Sequence, residues 1–334
     1  MGTEKRRKRI LSGMRPTGRL HLGNLVGALW NWRMLQDEYD CFFMIADYHA
    51  LMSEYESPGG LTDNARQVAI DFLSCGLDPE RSVIFRQCDV AEHCELHLIL
   101  SCYAPISWLE RNPTYKEQIQ QLKNRDIHNY AFLGYPVLQA ADIVLYKADV
   151  VPVGEDQLPH LELTRELVRR FNHMVGRDVL VEPQAKLTES PRLLGTDRRK
   201  MSKSYGNQVD IADEPDVVRK KVISMITDPK RVRRDDPGHP DECNVCDYYR
   251  TFCPSDVEDV VGKCRNAEWG CTDCKARLAE VLVTFLSEPR AKRAELEAHP
   301  ERLAEILAAG AERARPVARE TLREVKDLTG LREI

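Results

Sequence analysis

Short apolar runs alternate with amphipathic helical patterns along the first two hundred residues of the chain. The apolar runs, which are typical of buried strands, occupy residues 9–12, 41–46, 82–85 and 150–153. The segments between them repeat apolar positions every three to four residues, as helices do, at residues 25–38, 61–75, 156–172 and from Ala91 onward. This alternation predicts a parallel, doubly wound sheet, in which ligands bind at the carboxyl ends of the strands.

The strand pattern ends near Tyr205, and the remaining chain shows only helical periodicity. Helices are predicted at residues 214–227, 275–286 and 317–328. Pro215 suits the first turn of the earliest one, because that position needs no backbone N–H. The sequence therefore predicts an α/β, Rossmann-like domain over residues 1–205 and a helical domain over residues 206–334.

The composition is that of a globular chain without a strong overall charge. Of its 334 residues, 43% are hydrophobic and 30% are charged, and the formal net charge is −5. No apolar run approaches the length of a bilayer span, and the basic start lacks the hydrophobic stretch of a secretory signal. We therefore expect a cytoplasmic protein with no membrane partner, in which any nucleic-acid contact depends on local basic segments such as residues 230–234.

A glycine-rich segment, SGMRPTGRLHLGN at residues 12–24, lies between the first predicted strand and the first predicted helix. Glycines allow the backbone to approach a ligand closely, and the N-terminus of the following helix offers N–H groups to phosphate. An ordinary strand-to-helix loop is the alternative, and an isolated histidine such as His21 more often has no catalytic role.

A second segment, GTDRRKMSKS at residues 195–204, places Lys200 and Lys203 three residues apart. Lysine ammonium groups are mobile point charges, which suits them to stabilise the charge that develops on a departing pyrophosphate. A solvated basic loop is the alternative, and it is the more common one for an isolated pair of lysines.

Together these segments resemble the paired signatures of class I aminoacyl-tRNA synthetases. HLGN at residues 21–24 stands where that class has its HIGH-type sequence, and KMSKS at residues 200–204 is a full match. The resemblance implies ATP bound with Mg²⁺, an aminoacyl-adenylate intermediate, and catalytic roles for His21, Lys200 and Lys203. It further implies an ATP site that consists of Arg15, Gly23, Asn24, Gly27, Gly154, Asp156, Lys200, Met201, Ser202 and Lys203.

A third segment, residues 134–157, indicates which amino acid is used. Its helical part places Tyr135, Gln139 and Asp142 on one face. Polar groups on an apolar face need a polar ligand or a structural partner, and both remain open from the spacing alone. The segment is similar to tryptophanyl-tRNA synthetases, which implies that Asp142 accepts the indole N–H. The implied tryptophan site consists of Tyr135, Gln139, Asp142, Val151, Val153 and Gln157.

This resemblance extends over nearly the whole chain, with two departures. Arg15 stands where many bacterial members have glutamine, and Gln139 stands where many have methionine. A subgroup with arginine at the first of these positions and four downstream cysteines fits the chain better. Asp47 and His49 match an Asp-x-His pattern of the family, for which a ligand contact and a structural role are both open.

The expected activity is ATP-dependent ligation of L-tryptophan to tRNA(Trp). A tyrosine–tRNA ligase and a non-catalytic tryptophan- or RNA-binding paralogue are the alternatives. The resemblance also implies a homodimer with its interface near residues 105–135, and a helical domain that binds the tRNA anticodon.

Six of the eleven cysteines lie between Cys243 and Cys274. Disulfides are a poor explanation in a reducing cytoplasm, and free exposed thiols are prone to oxidation. The spacing of four of them resembles the [4Fe-4S] pattern of the tryptophanyl subgroup, which implies the ligands Cys243, Cys264, Cys271 and Cys274. Tetrahedral Zn²⁺ is the alternative, since Cys243 and Cys246 with Cys271 and Cys274 have a zinc-ribbon spacing.

Overall fold

The structure is a computed structural model and describes residues 6–113, 115–116, 129–187 and 193–332. The described chain contains a five-stranded parallel sheet in the order β3-β2-β1-β4-β5. Its strands are β1 (Arg9–Met14), β2 (Asp40–Ile45), β3 (Ser82–Arg86), β4 (Val150–Val153) and β5 (Gln184–Leu187). The predicted Rossmann-like fold is confirmed, and its first four strands lie where the apolar runs predicted them.

The fifth strand was not predicted, because its sequence lacks an apolar run. Residues 184–187 read QAKL and are half-buried or exposed. Among the described residues, β5 lies at the edge of the sheet and pairs only with β4. An edge strand buries little side-chain surface, so backbone hydrogen bonding defines it more than its hydrophobic pattern does.

Helices surround the sheet. The N-terminal part of the chain contains α1 (Leu22–Asn24), α2 (Trp30–Leu35), α3 (Asp47–Glu54), α4 (Leu61–Ser74), α5 (Glu92–Ser101), α6 (Ile106–Arg111), α7 (Tyr130–Leu145) and α8 (Leu158–Val175). One π-helical turn, Leu25–Leu29, joins α1 to α2. The helical path begins three residues before the predicted start at residue 25, because His21 caps it.

The C-terminal part is helical, as predicted. It contains α9 (Pro215–Ile223), α10 (Asn244–Phe252), α11 (Val257–Arg265), α12 (Cys271–Phe285), α13 (Ser287–Ala298) and α14 (Pro300–Thr329). The prediction for the last helix began at residue 317, directly after Pro316, but that proline lies inside α14. Among the described residues, no helix combines the length and the apolar character needed to cross a membrane.

The long helix α14 returns to the sheet and packs closely against β3. A Cβ atom on Gly310 would fall 1.8 Å from the backbone oxygen of Ile84, so only glycine permits this approach. Buried Ala311 and Ala314 extend the contact face and belong to the same hydrophobic cluster as Phe85. The C-terminal helices therefore share a hydrophobic core with the sheet, and a domain boundary at residue 205 remains a prediction.

We predict that Gly310→Ala destabilises the protein by roughly 1–3 kcal/mol, because the added methyl group would overlap backbone that cannot move aside. Gly262→Ala is the matched control. It adds a methyl group to α11 at a position where no described atom lies within 4 Å apart from its chain neighbours and the backbone of its own helix, and alanine favours helix over glycine. Thermal unfolding of both variants checks this, and a Gly310→Ala protein as stable as the Gly262→Ala protein would contradict the described packing.

Candidate active site

The glycine-rich segment leaves the carboxyl end of β1 and enters α1. His21 caps this helix, because its Nδ1 accepts the N–H of Asn24 at 3.2 Å. Asn24 Oδ1 in turn accepts the N–H of His21 at 3.1 Å. This reciprocal capping fixes the backbone of the HLGN sequence.

Backbone hydrogen bonds tie this segment to the chain just after KMSKS. Leu22 donates its N–H to the Val209 oxygen at 2.9 Å, and Ile211 donates its N–H to the Leu20 oxygen at 3.0 Å. The two bonds flank His21 on both sides. The two sequence signatures, nearly two hundred residues apart, are therefore held side by side.

Side chains of the lysine loop extend this contact. Met201 is buried, and its Cβ would lie 3.6 Å from a Cβ on Gly23. Lys203 Nζ would lie 2.7 Å from a Cβ on Gly18, whose φ of +127° also favours glycine. The loop thus brings an ammonium group directly onto the glycine-rich segment.

Asn207, which was not predicted as a site residue, holds the backbone of the lysine loop. This buried side chain accepts the N–H of Ser202 at 2.9 Å and donates to the Lys200 oxygen at 3.1 Å. It fixes the backbone from which both lysines extend. Its position three residues after KMSKS gave no sequence signal, because asparagine is common in loops.

The imidazole of His21 is neutral at physiological pH. Burial lowers its pKa to about 4, and the positive charges of Lys203 and Lys200 act in the same direction. Because Nδ1 accepts the N–H of Asn24, the proton of the neutral ring is on Nε2. His21 can therefore donate one hydrogen bond to a phosphate oxygen without adding a charge.

A cavity of about 350 Å³ lies next to these loops, between β1 and β4. Among the described residues these strands pair at one position, Ile10 opposite Val150, so their carboxyl ends can separate. Ligands bind at such a point in doubly wound sheets. The predicted residues that line the cavity are Arg15, Gly27, Tyr135, Gln139, Asp142, Val151, Val153, Gly154 and Gln157.

Apart from Arg15, the predicted residues of the two loops do not line this cavity. His21, Gly23, Asn24 and the lysine loop form the adjoining surface described above. Asp156 is exposed, and its Oδ1 would lie 2.7 Å from a Cβ on Gly154. Asp142 and Lys203 thus belong to two neighbouring parts of one site.

Asp142 is almost fully buried on α7 and is held by three donors. Gln87 Nε2 and His93 Nδ1 contact Oδ1 at 2.8 and 2.7 Å, and His49 Nε2 contacts Oδ2 at 2.8 Å. Burial opposes ionisation, but the hydrogen bonds from His49 and His93 outweigh it and lower the pKa of Asp142 to about 2. The carboxylate is ionised at neutral pH, and Oδ2 can accept a further donor.

A tyrosine fixes the orientation of His93. Tyr146 lies one helical turn after Asp142, and its hydroxyl is 2.8 Å from His93 Nε2. When Nδ1 donates to Asp142 and Nε2 carries no proton, Nε2 accepts the tyrosine O–H. The sequence did not predict roles for Gln87, His93 or Tyr146. Gln87 and His93 contact Asp142 from other elements of the fold, and Tyr146 acts through His93.

Asp47 and His49 have different roles. His49 lines the cavity and contacts Asp142. Asp47 instead accepts Arg86 Nε at 3.1 Å and the N–H of Cys88 at 2.9 Å, which holds the end of β3. In the Asp-x-His pattern, His49 therefore belongs to the cavity, and Asp47 has a structural role next to it.

The hydroxyl of Tyr135 lies at the cavity wall and contacts His160 Nε2 at 3.0 Å. Burial lowers the pKa of His160 to about 4, so this ring is also neutral. Asn112 Nδ2 lies 3.2 Å from its Nδ1. If that amide donates to Nδ1, the Nε2–H donates to Tyr135, and the second lone pair of the tyrosine oxygen is left to accept a donor in the cavity.

The four cysteines expected to bind a cluster come together in the structure. Cys243, Cys264, Cys271 and Cys274 line one small cavity. A Cβ on Gly238 would fall 2.3 Å from Cys264 Sγ, so the loop packs tightly on this sulfur. In the part of the chain that the structure describes, no group of three or more potential ligands has the geometry to hold a single metal ion.

A basic surface adjoins the cysteines. Arg231, Val232, Arg233 and Arg234 line a groove together with the start of α12, and Val232 is 86% exposed. Arg234 lies 3.6 Å from Asp273, so part of this charge is neutralised.

The predicted dimer segment, residues 105–135, lies partly outside the described residues. Its described part exposes Ile106 and Tyr130.

Comparisons with known proteins identify the family of the chain. The family model "tRNA synthetases class I (W and Y)" matches residues 3–287. A tryptophan–tRNA ligase of Thermotoga maritima is 47% identical over 321 residues, covering 95% of this chain and 98% of that protein. Its counterpart in Aquifex aeolicus is 41% identical, covering 97% of this chain and 100% of that protein.

A solved structure of a related protein has the same fold as this chain. The tryptophanyl-tRNA synthetase of Campylobacter jejuni, complexed with ADP and tryptophan, superposes with a TM-score of 0.89 at 35% identity. The match covers 97% of this chain and 100% of that one. The chain therefore belongs to the class I tRNA synthetases for tryptophan and tyrosine, within the tryptophan–tRNA ligase family.

Proposed function

We propose that the chain ligates L-tryptophan to tRNA(Trp) in two steps. The tryptophan carboxylate attacks the α-phosphorus of ATP, which gives tryptophanyl-adenylate and pyrophosphate. The terminal ribose of the tRNA then takes the tryptophanyl group and releases AMP. The observation that carries this proposal is the docking of the lysine loop on the HLGN segment, beside a cavity with one buried, ionised carboxylate.

ATP binds between the glycine-rich segment and the lysine loop in this proposal. The backbone of Gly23, Asn24 and Gly27 approaches the nucleotide, with Arg15, Gly154 and Asp156 at its rim. Neutral His21 donates from Nε2 to a phosphate oxygen. Mg²⁺ would neutralise phosphate charge when ATP is bound. Met201 and Ser202 position the loop from which Lys200 and Lys203 contact the departing pyrophosphate.

No side-chain nucleophile is needed, so the protein contributes position and charge. Burial lowers the pKa of Lys203, while Asp210 and Asp71 raise it. An ammonium group in such a partly buried site stabilises developing negative charge more strongly than one in water.

Tryptophan binds in the cavity, with its indole N–H donating to Asp142 Oδ2. Val151 and Val153 contact the ring, Gln139 lies on the same helical face as Asp142, and Tyr135 and Gln157 bind the α-ammonium group. A tyrosine–tRNA ligase is less well supported, because the full-length relatives are tryptophan–tRNA ligases. A non-catalytic paralogue would not need the intact pair of lysines.

The cysteines bind a [4Fe-4S] cluster in this proposal, with Cys243, Cys264, Cys271 and Cys274 as ligands. Support comes from their joint cavity and from thiolate chemistry, which suits a cubane cluster or Zn²⁺. The cluster would connect the irregular chain before α10 to α12 and shape the basic surface of residues 230–234.

The basic surface of residues 230–234 contacts phosphates of the tRNA, and the helical region 206–334 binds the anticodon. The protein is a homodimer with residues 105–135 at its interface.

We predict that Lys203→Ala slows tryptophan-dependent ATP–pyrophosphate exchange by roughly 10²–10³-fold, because charge on the departing pyrophosphate loses its partner. The dissociation constant for tryptophan should change little. Lys186→Ala, on the edge strand β5, controls for the loss of one positive charge. Unchanged turnover of the Lys203→Ala protein would remove its assigned role.

The role of Asp142 is testable with an analogue in which sulfur replaces the indole N–H. We predict that the unmodified protein prefers tryptophan over this benzothiophene analogue by roughly 10⁴-fold in kcat/KM, because the analogue leaves a buried carboxylate without its donor. Asp142→Ala should lose most of that preference in the same exchange assay. A variant that discriminates as strongly as the unmodified protein would exclude the indole contact.

Anaerobic purification followed by metal and sulfide analysis tests the cluster. We expect about four iron and four sulfide per chain, lost in Cys264→Ser and retained in Cys253→Ser. Cys253 is the matched control, since it lies in the same region outside the cavity. Stoichiometric zinc without iron would refute the cluster and favour the zinc alternative.

A further inference from the structure

A buried ion pair connects the C-terminal helices to the catalytic loops. Asp71 on α4 is 0% exposed and Arg293 on α13 is 4% exposed. Arg293 Nη1 donates to Asp71 Oδ1, across 222 positions of the chain. Burying two charges is costly unless they are paired and well hydrogen-bonded, so the purpose of this pair needs an explanation beyond stability.

The second carboxylate oxygen of Asp71, Oδ2, connects the ion pair to the glycine-rich segment. Asp71 Oδ2 accepts the backbone N–H of Leu20 at 2.9 Å. Leu20 directly precedes His21, and its own oxygen accepts the N–H of Ile211 at 3.0 Å. This one residue of the glycine-rich segment is therefore held by α4 through its N–H and by the chain after KMSKS through its oxygen.

Arg293 holds Asp71 in one orientation. Its Nη2 donates to Glu297 Oε1 at 2.8 Å and also contacts Gln67 Oε1, one turn before Asp71 on α4. Burial raises the pKa of Asp71 to about 6, and the charge and hydrogen bond of Arg293 oppose that rise. The planar guanidinium binds several acceptors in a fixed geometry, which a lysine ammonium does not reproduce.

We propose that Asp71 and Arg293 are positioning residues for ATP. The ion pair fixes the Leu20 peptide, and through it the capped His21 and the HLGN backbone, so the packing of α13 on α4 sets the geometry of the nucleotide site. The inference rests on the proposed function, because it assumes that ATP binds at this segment. Neither side chain contacts the substrate, and the tryptophan cavity does not include them.

The test replaces the pair by apolar residues of similar size, in the double variant Asp71→Leu/Arg293→Met. Exchanging a buried ion pair for packed apolar side chains commonly preserves or increases stability. The Leu20 N–H, however, loses its acceptor. We expect KM for ATP in tryptophan-dependent pyrophosphate exchange to rise roughly tenfold or more, equivalent to ~1.4 kcal/mol, while the dissociation constant for tryptophan changes less than twofold.

Two further variants separate positioning from stability. Arg293→Lys keeps the charge but not the fixed geometry, so its KM for ATP should lie between those of the unmodified protein and the double variant. Leu296→Ala is the matched control, because Leu296 is buried on α13 three residues from Arg293. It should lower the unfolding temperature and leave the KM for ATP unchanged.

The outcomes are distinguishable. An active unmodified protein together with an unchanged KM for ATP in the double variant would overturn this inference and leave the proposed function intact. Parallel losses of ATP and tryptophan affinity in the double variant and in Leu296→Ala would also overturn it, since they indicate a general structural effect. No exchange activity in the unmodified protein would refute the proposed function itself.

Discussion

The site depends on two backbone hydrogen bonds that join the residues around His21 to residues 209 and 211. Without them, the glycine-rich segment and the lysine loop would be separate surface loops. With them, the capped start of α1 and the ammonium group of Lys203 lie next to each other. These two bonds use only backbone atoms, so they position the loop without using either lysine side chain, and both side chains can contact a ligand as charge moves during the reaction.

The sheet provides the second constraint, because β1 and β4 diverge where the cavity lies. Within it, Asp142 has a pKa near 2 only because His49 and His93 offset the cost of its burial. In His21 and His160, by contrast, burial prevails over the other interactions. It lowers the pKa of each to about 4, so both rings are neutral. The site thus combines one ionised carboxylate in the amino acid pocket with positive charges on the lysine loop and on Arg15, which also lines the cavity.

The sequence predicted those features that depend on local patterns. Four strands followed from apolar runs, and the two loops followed from their motifs. The edge strand β5 was missed because it buries little surface, and the true start of α14 was hidden by Pro316.

The supporting residues of the site could not be predicted, because their partners are distant in the chain. His93 contacts Asp142 only when α5 packs on α7, and Asp71 contacts Arg293 only when α13 packs on α4. The cysteines differ, since their spacing predicted that four of them share one metal site, and the structure shows these four around one small cavity.

The most direct measurement is a crystal structure of the protein with tryptophan and a non-hydrolysable ATP analogue. We predict that the phosphates lie between the HLGN segment and Lys203, and that the indole nitrogen lies about 3 Å from Asp142 Oδ2. Nucleotide bound away from the two loops, or an indole that does not contact Asp142, would contradict it.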